Sequence, residues 1–331
     1  MQPAVLAAVV TSSVSIVVAV LSVSLNFVNQ SRLEELKDKL SGLAAERDAR
    51  RSYEYDALKR LYAVTEPILF QLSERAEELQ ASISGLARTA RNGDLDPDRN
   101  WLRKDDYYRL STAHRMLAPV ALFHLLQDGL TQVDLGLDPN TRAQYLISKY
   151  LAWALTDHHE FAAYEPRIPY HSDAVEIGSD AQVPRQGLAS GIIDAAGESL
   201  IIRSEGGTAK VVRFGEFSDA YAARDSELYK ACAPVVNMLN DFHPQTHPVL
   251  WRILIAQAHL CAACIATRDL AGTPREQPNS PAIRPWLSIP ESRRNVYDWR
   301  QPGDTTDDYH VLVEPFDVAR QYLQARLNLN K

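Results

Sequence analysis

The chain has 331 residues, 46% hydrophobic and 23% charged, a balance near the globular average that excludes wholesale disorder. With 35 Lys and Arg against 42 Asp and Glu the net charge is −7, which argues against nucleic acid as a partner, because phosphate binders carry surplus cations. Three cysteines are too few for a disulfide framework and suit a reducing compartment.

Ala4 to Val28 is a run of 25 residues without a charge. A helix rises about 1.5 Å per residue and a bilayer core is about 30 Å thick, so about 20 residues suffice to cross it. A cleaved secretory signal needs a basic start and a shorter apolar core of about 7–15 residues. Neither is present, and the run is expected to be a retained anchor. Its hydroxyl residues, Thr11, Ser12, Ser13, Ser15, Ser22 and Ser24, can bond back to their own backbone. Basic residues come after the run and none precedes it: Arg32, Lys37 and Lys39, then Arg47, Arg50 and Arg51. Basic flanks stay in the cytoplasm, so the expected location is the plasma membrane, single-pass, N-terminus outside and body cytoplasmic.

Small or polar residues recur through the run at Ala8, Ser12, Ser15, Ala19, Ser22, Asn26 and Asn29. The same three-and-four register continues into Leu33, Leu36, Leu40 and Leu43, two heptads of leucine, beyond which the seam meets Arg47 and Arg50. In lipid, small residues let backbones approach. In water, leucines are driven together by the hydrophobic effect. The seam therefore predicts a coiled-coil-like stalk that associates with copies of itself. The competing expectation is a monomeric helix whose leucines pack on the chain's own body.

Leu58, Leu61, Thr65, Leu69, Leu72, Ala76, Leu79, Ile83 and Leu86 form one apolar stripe, ended by Asn92-Gly93. Pro67 lies inside it and is expected to kink or break the helix. A second helix is expected over about 105–127 with Pro119 interrupting it. A third starts at Asp138-Pro139, an N-cap followed by proline at the first helical position, and runs towards Phe161. A fourth covers about 218–242 with Pro234 inside, a fifth about 248–269, and the last starts near Glu314-Pro315. Between them, Leu200–Arg203 and Lys210–Phe214 flank Ser204-Glu205-Gly206-Gly207 and read as a hairpin, which must lie against the helical body to be stable. Residues 164–186 and 271–305 read as loops. The second holds six of the eighteen prolines with Trp286 and Trp299, and is expected to strap the body.

The expected fold class is thus mainly α: an anchor over 1–30, stalk and long helix over 31–92, a helical body with its hairpin over 93–270, and a Pro-rich strap with a C-terminal helix over 271–331.

Few residues suggest chemistry. Asp157-His158-His159-Glu160 resembles a metal-binding string of phosphoesterases, whose other Asp motifs are missing. Helical neighbours diverge by about 100° and cannot all face one ion. A solvated helix end is the plainer reading, with Asp157 and His158 the candidate pair for a metal-assisted hydrolase. His243 and His247 have zinc-like spacing, but Pro244 and Pro248 make the segment a turn, so a junction cap is expected. Cys261-x-x-Cys264 is one pair where zinc needs four ligands, and reads as buried core. No nucleotide or nucleophile loop is found, and no cofactor is expected. Arg88, Arg91, Arg99, Arg103 and Lys104 are interleaved with aspartates, a solvated mixed surface.

Asp56-Ala57-Leu58-Lys59-Arg60-Leu61-Tyr62, Pro67-Ile68-Leu69-Phe70-Gln71-Leu72-Ser73 and Arg213-Phe214-Gly215-Glu216-Phe217 resemble segments of single-pass, membrane-anchored helical proteins of actinobacteria. That group has no assigned activity. The resemblance implies a bacterial origin and a plasma-membrane location, and carries over no catalytic residue. The expected function is a membrane-tethered cytosolic module that senses, scaffolds or recruits an unknown protein partner. By analogy of architecture, bacterial stress and defence effectors share this layout. The alternative is the hydrolase, with its pocket in the helical body.

Overall fold

The computed structural model describes residues 3–131, 134–168, 186–204, 209–269, 291–301 and 315–327; at 3–14, 268–269 and 291–292 it describes the backbone alone. The chain is mainly helical, with one two-stranded antiparallel sheet among the described residues. It divides into two compact units, Met1–Lys59 and Arg60–Lys331.

The first unit consists of the N-terminal part of α1 (Pro3–Arg91). Every described side chain from Ser15 to Tyr53 is exposed. Local terms hold the helix: Lys39 pairs with Glu35 at 2.7 Å and Arg50 with Glu54 at 3.0 Å, each with i,i+4 spacing. Such pairs contribute about 0.3–0.5 kcal/mol.

In the second unit the expected stripe is buried: Leu61, Leu72, Ala76, Leu79, Ile83 and Leu86 are each at most 1% exposed. Pro67 does not break α1. It sits on the exposed face, as does Ala63 four residues back, so the carbonyl deprived of its helical partner can bind water. The helix ends as Asn92-Gly93 predicts. Gly93 has φ +73°, its N–H donates to the Ala90 carbonyl at 3.0 Å, and the Asp94 N–H donates to Thr89 at 2.9 Å. Those paired bonds are a Schellman cap, which needs the left-handed conformation glycine adopts without strain.

The body then proceeds through α2 (Trp101–Lys104), α3 (Asp106–Leu130), a 3-10 turn at Leu135–Leu137, α4 (Pro139–Trp153), α5 (His158–Ala163) and α6 (Ser190–Ser199). The hairpin strands β1 (Ile201–Arg203) and β2 (Ala209–Val211) come next, then α7 (Phe214–Ala222), α8 (Glu227–Met238), α9 (Pro248–Asp269), α10 (Glu291–Tyr297) and α11 (Pro315–Arg326). Two helices are central. α3 packs on α4, α6, α7 and α8, and α9 packs on α4, α5 and α11, with α4 shared between them.

Three expected helices are corrected. Pro119 does not interrupt α3, which runs unbroken. The one lost backbone bond is worth about 1 kcal/mol net, while each large neighbour buried with it contributes about 1.5–3; Met116, Leu117, Val120, Leu122 and Phe123 are all buried. The helix from Asp138-Pro139 stops at Trp153, and the stretch to Phe161 is a turn followed by the separate α5. The single helix expected over 218–242 is two. Ser226 ends the first by donating to the Ala220 carbonyl at 2.8 Å and caps the second by accepting from the Tyr229 N–H at 3.0 Å.

The hairpin pairs Ile201 with Val211 and Arg203 with Ala209. Its tip, 205–208, lies outside the described residues. It lies against the body as expected: the Val212 N–H donates to the Leu200 carbonyl at 2.9 Å, and His114 Nε2 of α3 meets the Val212 carbonyl at 2.9 Å. α6 packs so closely on α3 that a Cβ on Gly197 would sit 2.8 Å from Val120 Cγ1. Most of the expected loop 164–186 and strap 271–305, Trp286 included, lies outside the described residues. The part at 291–301 packs on the body, with Tyr297 and Trp299 buried and Arg91 donating to the carbonyls of Asn295 and Asp298.

Candidate functional site

Two places gather residues singled out in the sequence: the seam of the first unit and the start of α5 in the second.

The side chains of Ala8 and Ser12 lie outside the described residues. From Ser15 onward the seam keeps one phase, because the helix is continuous through Ala19, Ser22, Asn26, Asn29, Leu33, Leu36, Leu40 and Leu43. Ser22 Oγ donates to the Val18 carbonyl at 2.8 Å, so its hydroxyl is satisfied within the helix. The four leucines are 53–66% exposed. From 29 to 52 they are the only large apolar residues. Glu34, Glu35, Lys37, Asp38 and Lys39 occupy the other faces. In the uncharged stretch the pattern inverts. Ile16, Val17, Val18, Val20, Leu21, Val23, Leu25, Phe27 and Val28 are 47–74% exposed and cover the remaining surface. Among the described residues, two helices are long and apolar enough to cross a membrane by length and composition. One is this helix, whose most apolar window is 0% buried; the other is α9, whose window is 83% buried as a core helix.

At the start of α5, Asp157 and His158 are not a solvated helix end. Asp157 Oδ2 accepts from the Tyr322 hydroxyl at 2.7 Å and from Arg326 Nη2 at 3.1 Å, and Arg326 also pairs with Glu160. Tyr150 donates to the Arg326 carbonyl at 3.0 Å, and Tyr164 donates to Glu160 at 3.2 Å. The cluster therefore latches the end of α11 onto α5 and α4. Burial, with Asp157 beside it, pushes the Tyr322 hydroxyl far above its ordinary range, so it is a permanent donor. His158 is buried, stacks on His159 at 4.0 Å, and packs so tightly on Gly187 that a Cβ there would lie 2.2 Å from its own. Among the described residues no group of three or more His, Cys, Asp or Glu is arranged to hold a metal.

His243 and His247 do cap the junction before α9. His243 Nδ1 accepts from the Gln245 N–H at 3.1 Å, and the His247 carbonyl accepts from Trp251 at 2.9 Å. Burial depresses both imidazoles, His247 to about 4. Cys261 and Cys264 are buried core, and burial raises the Cys261 thiol well above its usual range. Cys232 is buried against Ser199 and pushed up to about 11.

The depressed histidines give a pH prediction. His247 is neutral when folded and takes up a proton on unfolding, so its contribution is full above about pH 6.5 and is lost as pH falls towards 4. The loss approaches about 3 kcal/mol, at 1.36 per unit. Tm measured from pH 8 to 4.5 should fall steeply below 6.5, and His247→Gln should flatten the fall. An unchanged slope in that variant would refute the assignment.

Sequence reasoning missed three buried polar contacts. Gln186 Oε1 accepts from the N–H groups of Val249 and Leu250 at 2.6 and 3.2 Å, capping α9 from 63 residues away. Arg252, fully buried on α9, donates to the carbonyls of Phe161, Tyr164 and Pro166 at 2.7, 3.3 and 2.7 Å. His124 lies between Glu198 at 2.9 Å and Asp194 at 3.4 Å. No local pattern marks any of them; a polar residue inside an apolar run, such as Arg252 in Trp251–Ala256, is the nearest signal.

No protein-family model, curated protein or solved structure matches the chain.

Proposed function

We propose that the chain is a membrane-tethered helical module, its body in the cytosol, that senses, scaffolds or recruits at the inner face of the plasma membrane and assembles with copies of itself through the α1 seam. The observation that carries this reading is the chemistry of the first unit. Nine large apolar side chains between Ile16 and Val28 stand exposed on a helix with no charge from Ala4 to Val28. Each costs about 1.5–3 kcal/mol to leave in water relative to burial, and a bilayer removes that cost. Arg32, Lys37 and Lys39, just past the run, support a cytosolic location for the body.

The experiment is fractionation of the full chain. It should stay in the membrane pellet through carbonate and leave only with detergent; recovery in the carbonate supernatant would overturn the tether. Orientation needs an introduced thiol, because Cys232, Cys261 and Cys264 are all buried and would resist labelling on either side. Ser52→Cys is on the exposed helix. It should react with an impermeant maleimide only after permeabilisation; labelling in intact cells reverses the topology.

A further inference from the structure

The charges beside the seam are unequal. Lys39 is paired with Glu35, and Arg50 with Glu54. Arg32 and Lys37 form no ion pair among the described residues, and both are exposed on the helix. With Leu33 and Leu40 at the a positions and Leu36 and Leu43 at the d positions, Arg32 is a g residue and Lys37 the following e residue. In a parallel coiled coil the g side chain of one helix meets the next e side chain of its neighbour. Two copies anchored in one membrane by the same run are necessarily parallel. Assembly through the leucines therefore places Arg32 of each copy against Lys37 of the other, a like-charge contact on both sides of the seam. Further along the contact is favourable, Glu46 at g facing Arg51 at e. In the same register Arg47 and Arg50 take the next a and d positions, so like charges meet there too, but at a distance beyond the headgroup layer.

Depth supplies the counter-charge. Arg32 lies four residues past Val28, about 6 Å along the axis, and Lys37 about 13 Å, with a flexible stem that can reach back. The headgroup layer is about 5–8 Å thick on each side of the hydrocarbon. Its phosphates are within reach of both cations, alongside Glu34 and Glu35 of the same helix, three residues from Lys37 and from Arg32 respectively.

We propose that anionic phospholipid headgroups bridge Arg32 of one copy and Lys37 of the next, so that assembly of the stalk depends on the acidic lipid of the surrounding leaflet. This rests on the self-association stated above. The anion turns a repulsive contact into an attractive one at the entry to the leucine zipper, and it does so only where the seam emerges from the bilayer.

The test reconstitutes the full chain carrying Leu36→Cys in vesicles of phosphatidylcholine alone and of phosphatidylcholine with phosphatidylglycerol, and follows disulfide crosslinking; the native thiols are buried and stay silent. Association in the anionic vesicles should be stronger by about five-fold or more, the effect of a cation meeting an acidic surface. Arg32→Gln with Lys37→Gln should crosslink equally in both. Equal crosslinking of the parent chain in both vesicles overturns the proposal, as does a double variant that keeps the lipid response. A rise in neutral vesicles on adding inorganic phosphate assigns the site to a soluble anion and also overturns it. Vesicle-bound chain that crosslinks in neither lipid defeats the self-associating stalk itself, a result distinct from lipid-indifferent crosslinking.

Discussion

A chain carrying Leu36→Asp and Leu40→Asp is expected to lose its oligomer while keeping its membrane association and its folded body. The two leucines are among the four large apolar residues of 29–52. In a paired stalk each is buried on every copy, and each burial is worth about 1.5–3 kcal/mol. Aspartate removes that gain and sets carboxylates against one another across the seam, which costs several kcal/mol when charges face without partners. The sum is about 5 kcal/mol or more, beyond a thousand-fold in the association constant. Crosslinking through Leu43→Cys in membranes should fall from a dominant disulfide-linked dimer band to monomer. Leu36→Ile with Leu40→Ile should retain the band, since shape changes but apolarity does not. An aspartate variant that still crosslinks would place the contact elsewhere on the chain.

The second large effect is expected at Arg252. Its guanidinium is enclosed in the core, where burial lowers its pKa to about 10. It remains charged at neutral pH and is held by three main-chain carbonyls at the end of α5. Arg252→Met fills a similar volume and removes the cost of burying the cation. It also strands the carbonyls of Phe161, Tyr164 and Pro166, each of which costs about 1–3 kcal/mol when unsatisfied. The three stranded acceptors, at about 1–3 kcal/mol each, outweigh the relief of one buried charge. A net loss of about 3 kcal/mol is expected, a large share of a domain's 5–15 kcal/mol. Arg252→Lys should not rescue it, since a single ammonium lacks the planar fork that spans three acceptors. The denaturation midpoint of the detergent-solubilised chain checks this, with the Leu36→Asp, Leu40→Asp chain as the control that should match the parent. An Arg252→Met midpoint equal to the parent's would show that the carbonyls find other donors.

The latch at Asp157 shows why the sequence made the site look emptier than it is. Asp157-His158-His159-Glu160 reads alone as a polar helix end. Its partners, Tyr322 and Arg326, are 165 and 169 residues away, and no local rule connects them. The same holds for Gln186, whose side chain begins a helix it does not belong to. No element is expected from the sequence over 190–199, where α6 forms. Gly197 is there because α3 passes too close for a side chain.

Features that depend on a few neighbouring residues were legible in the amino-acid order alone. The Asp138-Pro139 start of α4, the Gly93 end of α1, the limits of α9 and the hairpin about 204–207 come from capping, φ preference and periodicity, which act within one or two turns. The uncharged run and the seam belong to the same class, since one continuous helix carries them. Long-range packing settled the rest: whether Pro119 breaks α3, which carboxylates α11 binds and what satisfies the end of α5. Those outcomes depend on which faces meet across tens to hundreds of residues, and there the burial of large side chains outweighs the local preference that the sequence displays.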